Sequence, residues 1–162
     1  MAGKPVKVLM VCLGNICRSP TAEVVFRHQV ASRGLDKHIL VDSAGTGSWH
    51  IGHPPDARAM RAALERSYDM SALRARQVVP TDMAEFDYIY AMDRQNLNDL
   101  LHICPDAYRD KLTLFLHRGN SDVEEVPDPY YSGADGFELV LDLVEDASAS
   151  LVSLLAAKHD LS

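Results

Sequence analysis

The chain has 162 residues, 47% of them apolar and 24% charged, a balance that fits a folded domain and excludes a disordered or coiled-coil chain. Its formal net charge of −7 argues against the broad basic face that nucleic acid or an anionic membrane surface requires. A small anion site remains compatible with that charge, since backbone N–H groups and one or two arginines build one locally.

The length predicts one domain over residues 1–162. Val6-Lys7-Val8-Leu9-Met10-Val11 is nearly all apolar and β-branched, the pattern of a strand covered on both faces. Ser19 and Pro20 then read as the N-cap and first residue of a helix. Its apolar side runs through Ala22, Val25, Phe26 and Val30, and Gly34 stops it. Ile39-Leu40-Val41 predicts a second strand, followed by the turn-like Asp42-Ser43-Ala44-Gly45. Pro54-Pro55-Asp56 precedes a helix with Met60, Ala63 and Leu64 on one side. Phe86 to Met92 reads as a third strand, and Asp93 as the cap of a short helix with Leu97, Leu100 and Leu101 inward. Leu112 to Leu116 reads as a fourth strand. The capping-box spacing of Asp135 and Glu138 opens a last helix. Phe137, Val140, Leu141, Val144, Leu151, Leu154 and Leu155 form its core face.

Strands alternating with helices predict an α/β fold: a parallel sheet joined by right-handed crossovers, with helices on both faces. Such sheets bind ligands at the carboxyl ends of their strands. Two segments there stand out. One is the loop after strand one. The other runs without periodicity from His117 to Ala134, a length that points to function.

The first loop is Cys12-Leu13-Gly14-Asn15-Ile16-Cys17-Arg18-Ser19. A Cys, five residues and an Arg between a buried strand and a helix N-terminus form an anion cradle. Successive N–H groups curl round an oxyanion, and the helix dipole adds positive potential. Gly14 and Asn15 tolerate the left-handed backbone a tight loop needs. Arg18 offers a planar fork for two phosphate oxygens. The same field favours a thiolate at Cys12, placed for in-line attack on bound phosphorus. There is neither a Gly-Lys-Ser/Thr phosphate loop nor a G-x-G-x-x-G. A nucleotide-binding protein is therefore a poor reading.

The second segment holds Val126-Pro127-Asp128-Pro129-Tyr130-Tyr131. Displacing an alcohol or phenol from phosphorus needs a proton donor for the leaving oxygen. Asp128, held between two prolines, is rigidly presented for that role. On spacing alone it reads equally well as an ordinary turn aspartate.

These motifs, with Asp42-Ser43-Ala44-Gly45-Thr46, Ala75-Arg76-Gln77 and Met92-Asp93 between them, are similar to those of the low-molecular-weight protein tyrosine phosphatases, in the same order. The resemblance implies a four-stranded parallel sheet flanked by helices, with the phosphate loop after strand one. It implies that Cys12 is the nucleophile that becomes a phosphocysteine and that Arg18 binds the phosphate. Asp128 would protonate the leaving phenol and then activate water. Ser19 would hydrogen-bond the Cys12 sulfur, and Asn15 would hold the loop in shape with help from Ser43. Leu13, Gly14, Ile16 and Cys17 complete the phosphate loop. Where family members often carry a His bonded to the loop Asn, two residues before Ala-Arg-Gln, this chain has Leu73.

The same resemblance makes Trp49, the only Trp, a wall for the substrate ring, with Tyr130 and Tyr131 on the 128–131 segment. A slot of that kind admits phosphotyrosine and leaves phosphoserine short of Cys12. Tyr130 and Tyr131 are also implied as phosphorylation sites. Cys17 reads either as a peroxide-driven disulfide partner of Cys12 or as a small apolar loop residue. Cys104 reads as inert. His50 and His53 lack a Cys or Glu cluster to complete a ligand set, so no metal or other cofactor is expected. Asp122, Glu124 and Glu125 read as a solvated acidic stretch, or as a repellent for acidic phosphopeptides.

Tyrosine-phosphorylated proteins are the expected partners, with phosphate and other oxyanions as inhibitors. Neither nucleic acid nor membrane is expected, and the chain is expected to be a monomer. Three cysteines and the absence of a long apolar leader predict a cytoplasmic protein, with export without a cleaved signal left open. Two competing readings are weaker. Arsenate reductases have a similar cysteine loop but add a relay of thiols, and here only Cys17 and Cys104 accompany Cys12. A pure phosphate-binding module has no need of a nucleophile.

Overall fold

The computed structural model describes residues 4–130 and 133–161. Its centre is a four-stranded parallel sheet in the order β2-β1-β3-β4, built from Val6–Cys12 (β1), Ile39–Gly45 (β2), Tyr88–Ala91 (β3) and Leu112–Leu114 (β4). Alternation along β1 sorts its side chains to two faces. Val6, Val8, Met10 and Cys12 join one buried cluster, and Leu9 and Val11 join another. The helices Arg18–Ser32 (α1), Ala57–Glu65 (α2) and Ala134–Lys158 (α5) cover the first face. Pro80–Glu85 (α3) and Arg94–Ile103 (α4) cover the second. Covered on both sides, β1 has to be apolar throughout, as its sequence is.

The chain passes from β1 outward to β2, then returns across β1 to β3. The crossovers therefore part at the carboxyl ends of β1 and β3, which opens a crevice there. Both motif loops converge on it. Cys12 ends β1, Asp93 follows β3, and the Val126 N–H donates to Met92 O at 2.8 Å.

Several elements differ from the sequence reading. Helix α1 begins at Arg18 with Cys17 as its N-cap, so Ser19 lies inside the helix. The Cys17 carbonyl already accepts from Thr21 N–H at 3.2 Å and Thr21 Oγ1 at 2.7 Å, and the Ser19 hydroxyl is used elsewhere. Strand β2 runs on to Gly45, through the stretch expected to turn. Helix α2 packs through Ala59, Ala62 and Ala63, while Leu64 is exposed. Small side chains let that face approach α5 closely. Strand β3 is shorter than expected, and α3 fills the gap before it. Pro80 starts α3, and the Asp82 carboxylate accepts the Val79 N–H at 2.8 Å. Strand β4 gives way at Phe115 to a 3-10 turn, Phe115–Arg118. Helix α5 starts at Ala134 with Gly133 as its N-cap, so Asp135 lies inside the first turn instead of capping it, and Glu138 pairs with Arg66. Leu154 faces solvent. Among the described residues, no helix is long and apolar enough to cross a membrane.

Candidate active site

The loop between β1 and α1 is tied down by its carbonyls. Those of Cys12 and Leu13 accept the N–H groups of Thr46 and Gly47, both at 2.9 Å. The Ile16 carbonyl accepts from Asp56 N–H at 2.8 Å. With the carbonyls turned outward, the amides of Leu13, Gly14, Ile16 and Cys17 take no acceptor among the described residues. This is the concave array of N–H dipoles that binds an oxyanion. Asn15 supplies the left-handed kink, with φ of 56°. Gly45 underlies the loop, where a Cβ would stand 2.7 Å from Leu13 O. Only glycine lets strand and loop approach so closely.

At the loop's base, Cys12 is buried, and its Sγ accepts the Asn15 N–H at 3.3 Å and lies 3.0 Å from Ser19 Oγ. A buried network surrounds that second contact. Arg76 N–H donates to Asn15 Oδ1 at 3.0 Å, so the Asn15 amide nitrogen must face the other way. It donates to Ser19 Oγ and to Ser43 Oγ, each at 2.9 Å. Ser43 Oγ in turn donates a hydrogen bond to the Glu23 carboxylate at 2.6 Å. The Ser19 hydroxyl, already accepting from Asn15, has its proton free to turn toward Cys12 Sγ or toward Ala44 O, 3.4 Å away. The backbone of Arg76 thus serves the Asn15 oxygen directly. Leu73, at the place of the family's frequent His, packs partly buried against the core.

Arg18 is 3% exposed. Its Nη1 donates to Asp93 Oδ2 at 2.6 Å and to Val126 O at 3.0 Å, and its Nη2 lies 3.8 Å from Asp128 Oδ2. Burial works against its charge, but Cys12, Asp93 and Asp128 around it prevail and raise its pKa. It stays a cation with its fork fixed. The Asp128 side chain is half-exposed, and its Oδ1 accepts the Tyr130 N–H at 3.0 Å. Burial first, then the neighbouring Asp56, pushes the Cys17 thiol up. Cys17 therefore remains protonated at neutral pH beside the loop's first cysteine. All three cysteines are free thiols.

Cys12, Leu13, Gly14, Ile16, Cys17, Arg18, Trp49, His50, Asp128 and Tyr130 line one cleft of about 350 Å3. Asn15 and Ser19 are buried behind that lining and act on Cys12 from there. Tyr131 lies outside the described residues.

A family model described as low molecular weight phosphotyrosine protein phosphatase matches residues 7–161. A Schizosaccharomyces pombe protein of that name is 42% identical over 154 residues, 93% of this chain and 98% of its own. The low molecular weight protein-tyrosine-phosphatase YfkJ of Bacillus subtilis is 39% identical over 157 residues, 96% of this chain and 99% of its own. A crystal structure of an Entamoeba histolytica protein tyrosine phosphatase, with Hepes in its active site, superposes with a TM-score of 0.92 at 41% identity. It covers 95% of this chain and 99% of the other.

The chain belongs to the low molecular weight phosphotyrosine protein phosphatase family.

Three parts of this phosphatase site have roles that their local sequence does not show. Asp93 looks like a helix cap, and it is one, with Oδ1 accepting Asn96 N–H at 2.8 Å, yet Oδ2 holds Arg18. Glu23 looks like a surface helix residue, but it is buried at the end of the Ser43 network and paired with Arg27. The acidic run is more than a solvated stretch. Glu125 accepts the Arg94 N–H at 2.7 Å and Glu124 pairs with the Arg94 side chain at 2.6 Å, which latches the Asp128 segment to the start of α4. Asp93 stands in the Met92-Asp93 motif, whereas Glu23 and the acidic run offer only acids of a kind that most surface positions carry.

Proposed function

We infer that Cys12, Arg18 and Asp128 carry out the hydrolysis of phosphotyrosine monoesters in this protein tyrosine phosphatase. The observation that carries the assignment is the buried Cys12 sulfur at the floor of the amide cradle, with Arg18 locked by Asp93 and reaching Asp128. The phosphate dianion sits on the loop amides and the Arg18 fork. The Cys12 thiolate, bonded by Ser19 and the Asn15 amide, attacks phosphorus in line. The S–P bond forms as the P–O bond to the tyrosine ring breaks, and Asp128 gives its proton to the departing phenolate. Water then attacks the phosphocysteine and passes a proton to Asp128. The S–P bond breaks, phosphate leaves and the thiolate returns. Preorganised donors around the transferring phosphoryl group do most of the electrostatic work.

Trp49 and Tyr130 wall the slot above the cradle, and this aromatic lining suits a phosphorylated phenol over a phosphorylated serine. Phosphotyrosyl proteins are the substrate class that follows.

Arsenate reduction is the less favoured reading. It requires a second thiol within reach of Cys12. Cys104 follows the far end of α4, a ten-residue helix about 15 Å long whose start lies at the site. Burial keeps Cys17 protonated.

The decisive assay has two arms on purified protein, with Cys12→Ser as control in each. One follows phosphate release from a phosphotyrosyl peptide, and the other follows arsenate reduction with thioredoxin. Release that Cys12→Ser abolishes, with phosphate binding retained and no arsenate turnover, is the expected outcome. Arsenate turnover, or release that survives the substitution, overturns the assignment.

A further inference from the structure

The aromatic wall of the slot rests on a glycine. Gly47 lies two residues before Trp49 in the loop after β2. A Cβ built on it would fall 2.0 Å from Cζ3, 2.3 Å from Cε3 and 2.9 Å from Cη2 of the indole. The six-membered edge of the ring therefore lies directly on the bare α-carbon of Gly47. The ring has little else to hold it, being 69% exposed.

The backbone under the ring is fixed to the phosphate cradle. Gly47 N–H donates to Leu13 O and Thr46 N–H to Cys12 O, each at 2.9 Å. Farther along, Gly52 N–H donates to Ala75 O at 2.8 Å. The surface that carries the indole is thus strapped to the loop that would hold the phosphorus. Trp49 and Cys12 line the same cleft.

We propose that Gly47 is a positioning residue that seats Trp49 against the slot and so sets the preference for aryl over alkyl phosphate esters. The proposal rests on the reading of Trp49 as the wall for the substrate ring. A methyl group at position 47 displaces the indole, because the overlap is too deep to absorb in place. The displacement leaves the fold intact. The atoms it meets are the far end of one exposed side chain. Gly47 is not among the glycines with positive φ, so alanine fits its backbone. Its N–H, and with it the bond to Leu13, also remains.

Trp49 is the only Trp in the chain, so tryptophan emission reports on this ring alone. Gly47→Ala is expected to shift the emission maximum and its quenching by acrylamide, with the far-UV circular dichroism of the folded protein retained. The ratio of kcat/KM for phenyl phosphate to that for a small alkyl phosphate should fall by about two- to tenfold, the worth of one aromatic contact. In a Trp49→Ala background the added Gly47→Ala should lower the ratio no further. Unchanged emission and ratio in Gly47→Ala overturn the proposal. So does an equal fall in the ratio with and without Trp49, which would mean that Gly47 acts on the cradle itself. An unchanged ratio in Trp49→Ala alone overturns the wall, and the selectivity claim with it. That failure is recognisable because the emission of Gly47→Ala still shifts.

Discussion

At the scale of single residues, the site depends on groups that can act in only one direction. Glu23 can only accept a hydrogen bond and a backbone N–H can only donate one. Between these two ends, the orientations of Ser43 and Asn15 follow without choice, and Asn15 in turn donates to Ser19. The Ser19 oxygen beside the Cys12 sulfur is therefore held by residues that do not line the cleft. Asp128 differs, being half-exposed and placed by one backbone bond and the pull of Arg18. As the group that would protonate the leaving phenol, it should matter most where that phenol leaves poorly. Asp128→Asn is expected to lower kcat/KM on phenyl phosphate by about 10²–10⁴-fold. The loss should shrink as the leaving group becomes more acidic. Steady-state rates across a series of substituted phenyl phosphates measure it, and a loss independent of the leaving group would assign the proton to another residue.

At the scale of elements, the cradle is held in shape from outside. Asp56 joins two of the parts that do so. Its N–H donates to Ile16 O, and its carboxylate caps α2 by accepting from Arg58 N–H at 2.8 Å and Ala59 N–H at 3.3 Å. Burial disfavours the carboxylate, but these bonds and the Arg58 side chain prevail and hold it below the usual range. A carboxyl whose pKa is lower folded than unfolded stabilises the fold above the unfolded value. That contribution is lost as acid protonates it. Asp56→Ala should therefore cost about 1 kcal/mol at pH 7. The gap between variant and parent should narrow below about pH 4. Urea unfolding at pH 7 and pH 3 checks both.

At the scale of the molecule, the helices on the α1 face are joined by a charged clasp as well as by apolar packing. Arg66, just after α2, reaches Glu138, Asp142 and Glu145 on α5, at 2.8, 2.9 and 2.6 Å. Tyr68 OH donates to the other Glu145 oxygen at 2.7 Å. Burial and this bond push the Tyr68 phenol up to about 12. The raised value means that the pair stabilises the fold below the ordinary phenol range and that the contribution fades as pH climbs toward 12. Glu145→Ala removes a partner from both residues and should lower stability by about 1–3 kcal/mol. A lower urea midpoint at unchanged slope is the expected signature. The clasp lies away from the cleft lining, so the change belongs to stability.

The sequence by itself determined the parts whose causes are local. Strand β1 was legible because a strand covered on both faces must be apolar at every position. The Cys12-to-Arg18 loop was legible because an anion cradle needs its glycine, asparagine, arginine and cysteine at adjacent places. The parallel sheet with helices on both faces follows from the alternation of those patterns. What depends on approach between distant segments was decided only by the tertiary structure. Asp93, Glu23 and Arg76 reach the site across 75, 20 and 61 positions of sequence from Arg18, Ser43 and Asn15 respectively. None has a local periodicity that marks its role. The start of α1 and the outward turn of Leu64 and Leu154 belong here too. Hydrogen bonds to the cradle and the closeness of neighbouring helices overrode the local capping and hydrophobic signals. Propensity acts over a few residues, whereas the surfaces that decide burial exist only once the chain has folded back on itself.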